Sequence, residues 1–154
     1  MDTTKQTAEQ TAEGKRNMNI PTPEMLTTFK SLTPRGQFQT VLELMKGEEG
    51  QYFMDVVARI ATLWGRIPKT YETDGQGREA VVHLHWFTGG CDWWLVEKDA
   101  DPDGEGQIQA FGISDLGQGF REIGYISLPE ILEAGAELDF HFMPVTVGEI
   151  LKGG

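Results

Sequence analysis

Cysteine is almost absent: Cys91 is the only one in the 154 residues. A single thiol excludes an intrachain disulfide and suits a reducing compartment, so burial alone must hold the chain together. At this length a domain buries about two thirds of its unfolded surface, which is enough for a core without staples. Long apolar runs are missing as well. No stretch approaches the roughly 18 residues that span a bilayer, and the opening MDTTKQTAEQTAEGKRNMNI lacks the apolar centre of a secretory signal. The expectation is a cytoplasmic protein with no membrane contact.

Basic residues are scarce in one half of the chain. The formal net charge is -11, and residues 81 to 154 hold thirteen acids against Lys98, Arg121 and Lys152, which is -10 of that total. Three bases cannot neutralise a phosphate backbone, so direct nucleic-acid binding is disfavoured. The surplus of acid serves solubility, and it also offers an electronegative face to a basic protein partner.

What is present reads as an α+β protein: N-terminal helices followed by a mainly antiparallel β-sheet with short crossing helices. Residues 1 to 20 are polar and aperiodic, the pattern of a disordered tail. Residues 21 to 154 read as a single domain, with a helical front over 21 to 65 and a sheet region over 66 to 154. Thr22-Pro23-Glu24 and Thr33-Pro34 are helix starts, and Phe38, Val41, Leu42 and Met45 recur at helical spacing before Gly47. A third helix over about Gln51 to Trp64 puts Phe53, Val56, Val57, Ile60 and Trp64 on one face. After Pro68 the period falls to two. Val82, Leu84 and Trp86 alternate with Val81, His83, His85 and Phe87 as one strand, and Thr88-Gly89-Gly90 turns the chain into a return strand over Trp93 to Glu97. Further strands are expected over Gln107 to Ile113, Ile123 to Ser127 and Glu137 to Phe142. Ser127 to Glu130 and Thr146 to Glu149 are capping boxes for two short helices, the first ended by Gly135.

Signatures of catalysis are also missing. FGISDLGQGFREIGYISLPEIL, residues 111 to 132, is rich in glycine but fits neither G-x-G-x-x-G nor a P-loop, and no helix start follows Gly119. It reads as a strand-to-strand turn in which Gly117 and Gly119 take positive φ. Asp99, Asp101 and Asp103 open like a calcium loop, yet the twelfth position is Ala110 where a glutamate is required, so a solvated acidic turn is the reading. Cys91 adjoins Asp92, whose charge opposes a thiolate.

Histidine spacing allows one alternative. His83 and His85 are two apart on a strand, and His141 shares parity with Asp139; if those strands are neighbours, the four residues would suit a metal-dependent hydrolase. Polar residues on the wet face of a sheet explain the same spacing. Trp93 and Trp94 must point to opposite faces, so one can fill the core while the other anchors a partner beside Asp92, Glu97 and Asp99.

From Trp64 to Ile150 the stretches IPKTYET, VVHLHWF, DWWLVEKD, AFGISDLGQGF, REIGYISLPEIL and ELDFHF resemble the bacterial domain-of-unknown-function family 2958. The resemblance implies a setting on plasmids, phages and integrative elements, near anti-restriction and conjugation genes, and it supplies no catalytic residues and no cofactor. Thr22 to Leu63 lies outside it, as a family variant or an added partner-binding element. The functional expectation is an acidic, non-enzymatic interaction module, an anti-defence or transfer accessory that binds a basic host or mobile-element protein. Its partner-binding residues are expected among Asp92, Trp93, Trp94, Glu97, Asp99, Asp101, Asp103 and Glu122. Nothing in the pattern sets an oligomeric state.

Overall fold

The computed structural model describes residues 20–104 and 107–153. The tail expected over 1 to 20 therefore lies outside the described residues, except for Ile20. Compactness divides the rest into two units, one ending its first segment at Ser31 and resuming over Arg35–Trp64, the other holding Leu32–Pro34 and the chain from Gly65.

The first unit is helical. Helix α1, Pro23–Ser31, begins where proline fixes φ, and the Thr22 hydroxyl accepts the Met25 N–H at 3.1 Å. Helix α2, Arg35–Met45, follows, with the rings of Phe29 and Phe38 6.3 Å apart. Helix α3, Gly50–Arg66, buries Val56, Val57 and Ile60, the stripe that a period of 3.6 predicts.

The second unit is built on a sheet. Strands β1, Val81–Val82, β2, Leu84–Thr88, β3, Cys91–Glu97, β4, Ala110–Asp115, and β5, Glu122–Ile126, precede helix α4, Leu128–Glu133. Strands β6, Glu137–Leu138, and β7, Val145–Thr146, and helix α5, Val147–Lys152, complete the unit. Five strands pair antiparallel in the order β5-β4-β3-β2-β6, and β1 pairs with β7 apart from them. Both capping boxes form: Ser127 accepts from Glu130 and Thr146 from Glu149.

Two expectations are corrected. The strand foreseen over Glu137 to Phe142 stops at Leu138, because the Asp139 carboxylate accepts the His141 N–H at 2.9 Å and turns the chain. The strand foreseen as continuous from Val81 breaks at His83, where pairing passes from β7 to β3. The glycine-rich stretch is the β4–β5 hairpin, with Gly117 at φ 80° and Gly119 at φ 91°. Gly112 serves differently: a Cβ there would sit 1.9 Å from the Trp94 carbonyl oxygen.

Residues directly opposite in a ladder share a face. The register therefore puts His85, Trp94, Ile113 and Ile123 on one face of the sheet. Trp94, Val96 and Ile113 meet Ala80, Val82 and Val147 there in a buried cluster, with Phe142, Ile150 and Leu151 packed against it.

Candidate functional site

A β-bulge places the principal site. Leu95 pairs with Gly112 but Glu97 pairs with Phe111, so Val96 and Glu97 together oppose one residue of β4. Regular alternation would put Glu97 on the face opposite Trp94. The extra residue reverses its parity and brings it to the face of Phe111, Ile113, Ile123 and Tyr125.

Glu97 is only 3% exposed there. One carboxylate oxygen accepts the Tyr71 N–H at 2.8 Å; the other accepts the Thr73 N–H at 3.0 Å and the Thr73 hydroxyl at 2.5 Å. Three neutral donors thus solvate the acid in place of water. Among the described residues no basic side chain forms an ion pair with it.

The segment that supplies those donors is held at its other end by Thr70. Its hydroxyl lies 3.3 and 3.1 Å from the carbonyl oxygens of Lys98 and Gln109 and accepts the Ala100 N–H at 3.1 Å. Between the two threonines Tyr71 takes φ 72°, the one positive φ outside glycine among the described residues. Such a conformation costs about 1–3 kcal/mol and persists only where the surroundings over-determine it. The Tyr71 hydroxyl reaches that of Tyr125 at 3.0 Å, and this bond holds the Tyr125 phenol above its ordinary range. Close by, burial first and the Lys69 charge second push the Lys98 ammonium down, with Glu72 opposing.

Tyr71, Thr73, Glu97 and Tyr125 line an open-mouthed cavity of about 340 Å³. Tyr71, Phe111 and Tyr125 give it aromatic walls, Val96, Ile113, Ile123, Val147 and Leu151 an aliphatic lining, and Asp74, Arg78 and Glu97 its charges. Its size and largely apolar character suit a small ligand or one side chain.

A second cluster lies on the same face. His85 Nδ1 is 2.9 Å from Asp139 and Nε2 is 2.8 Å from Asp92. The ring stacks on Trp94 at 5.1 Å between centroids, and the Arg121 guanidinium lies 4.7 Å over the Trp94 ring. Arg121 also pairs with Asp115 at 3.3 Å and donates to the Ile150 carbonyl. Here the chain answers its own carboxylates from within, with an imidazole at Asp92 and Asp139 and a guanidinium at Asp115.

Of the residues singled out from sequence, His85 and Asp139 do meet, but in a carboxylate–imidazole contact. His83 sits in the break between β1 and β2, donating its N–H to the Leu95 carbonyl at 2.8 Å, and burial lowers its pKa. His141 is exposed on the turn after β6. Among the described residues no group of three or more histidine, cysteine, aspartate or glutamate side chains is placed to hold a metal. Glu97, foreseen as part of a docking surface, is buried instead, where the bulge sets it against the Tyr71–Thr73 segment; of the two tryptophans expected on opposite faces, Trp94 is the one that fills the core, under His85 and Arg121. Trp93 is half-buried, Asp92 is engaged with His85, and Asp101, Asp103 and Glu122 are exposed. Asp99 folds back on its own turn, accepting the Asp101 N–H at 3.0 Å.

Sequence reasoning missed Tyr71, Thr73 and Tyr125 as a site. Their signal was an acid ending an apolar run, WWLVE, an arrangement that calls for donors from elsewhere in the chain.

Fold and site together define an α+β protein with an aromatic-walled cavity over a buried, internally solvated carboxylate. The chain matches the family model described as "Protein of unknown function (DUF2958)" over residues 58–144, more than half its length, and it belongs to that family. No curated protein and no solved structure matches it. Among the described residues no helix is long and apolar enough to cross a membrane.

Proposed function

We propose that this chain is a non-enzymatic interaction module that docks the acidic edge of its sheet unit on a basic protein. The observation that carries the proposal is the β4–β5 hairpin and edge. Leu116, Phe120, Ile123 and Tyr125 are 51%, 53%, 53% and 57% exposed within the most acidic part of the chain. Large apolar side chains left in solvent mark interaction surfaces. Strand β5 is also an edge of the five-stranded sheet, and an edge offers backbone donors and acceptors to an added strand. Glu122 on that strand, with Asp101 and Asp103, adds the negative field that favours a basic partner over about 8 Å at physiological ionic strength.

The family resemblance supports a biological setting on plasmids, phages or integrative elements, with the protein acting in the cytoplasm as an anti-defence or transfer accessory. Capture from host lysate by the wild-type chain and by a D101N/D103N/E122Q/I123S variant tests the reading. A basic partner held at low salt, released at moderate salt and lost with the variant is the expected result. Partner binding indifferent to both would overturn it.

A further inference from the structure

The cavity beneath this edge carries a separate inference. A buried carboxylate normally has a countercharge. Glu97 has three neutral donors, and among the described residues no cation pairs with it. Asp74 also lines the cavity, and among the described residues Arg78 is the one basic side chain that does, so acid outweighs base in that lining. Arg78 is exposed, whereas Glu97 is buried, so an anion drawn to Arg78 would face the carboxylate on entering. Around the acid stand Tyr71, Phe111 and Tyr125, with the last two rings edge to face at 5.9 Å. Aromatic faces attract cations through the ring quadrupole, and alkylated ammonium groups add apolar surface that suits the aliphatic lining.

From this geometry we infer that the cavity binds an organic cation of the alkylammonium class, whose charge completes Glu97 and whose alkyl groups pack among Tyr71, Phe111 and Tyr125. The strained Tyr71 segment is then a preorganised wall, held in place by the acid that the ligand neutralises. The inference does not rest on the docking proposal: it concerns the cavity, and it is tested without any protein partner.

The test is calorimetric titration of the full chain with choline chloride and with 3,3-dimethylbutan-1-ol, its neutral isostere, at matched ionic strength. Choline should bind about tenfold or more tighter than the alcohol. Tyr125→Ala, at an exposed position on the edge strand, should weaken choline about threefold or more. Nα-acetyl-lysine methylamide as a third titrant separates the sources: preference for it identifies a protein lysine, and preference for choline a free quaternary ammonium. Equal binding of choline and the alcohol would overturn the inference, as would no binding of either cation, or choline binding unchanged in Tyr125→Ala.

Discussion

Two acidic sites share one face of the sheet and differ in how their charge is met. At His85 the carboxylates of Asp92 and Asp139 each face a ring nitrogen, and Asp115 pairs with Arg121 nearby. At Glu97 the described residues provide hydrogen bonds but no ion-paired cation, and they leave a cavity beside the acid. A carboxylate answered by an imidazole or a guanidinium side chain of its own chain serves architecture, while one held by backbone N–H groups and a hydroxyl beside a cavity is available to a ligand. Buried or half-buried carboxylates on one sheet can thus be divided by what answers them.

The contrast can be broken most severely at Glu97. Glu97→Ala orphans the two buried Thr73 donors and the half-buried Tyr71 N–H and releases the positive-φ Tyr71, so urea denaturation should show a loss of about 3 kcal/mol or more. Glu97→Gln keeps an acceptor oxygen and should lose roughly half as much. At His85 the effect should be smaller. Asp92 and Asp139 have side chains 34% and 26% exposed, so water screens them when the ring is removed, and His85→Ala should cost about 1–2 kcal/mol, mostly lost stacking on Trp94.

Two subtler tests read protons. In Tyr71→Phe the Tyr125 phenol loses the bond that raises it, so its ultraviolet titration should fall back toward about 10. Because the folded state holds this phenol above its ordinary value, its contribution to stability is present below that value and is lost as pH rises through the raised one. His83 runs the other way. Burial lowers it, so its contribution is present above about 6.5 and is lost as pH falls through the lowered value. His83→Gln should remove that part of the acid-side decline in thermal unfolding temperature, the smallest of these effects.

Local chemistry made much of this fold legible. Thr22, Ser127 and Thr146 announced helix starts, and the alternation around Trp86 announced the central hairpin, because a cap or a pleat is decided within a few residues. His85 and Asp139 could be set side by side from parity alone once their strands were taken as neighbours, and β2 does pair with β6. The Glu97 site was not legible in that way. Its face depends on a bulge between Leu95 and Glu97, and its donors come from residues 24 and 26 positions earlier. Nothing near Glu97 in the sequence marks the extra residue, and Tyr71 carries no glycine to announce its positive φ.

The most direct measurement is the backbone amide spectrum of the folded chain titrated with choline chloride, against sodium chloride at the same ionic strength. The account predicts shifts specific to choline over Tyr71 to Asp74, Phe111 to Ile113 and Ile123 to Tyr125, with His85, Asp92 and Asp139 unmoved. Shifts centred on His85 and its two carboxylates, or a response no different from that to sodium, would contradict it.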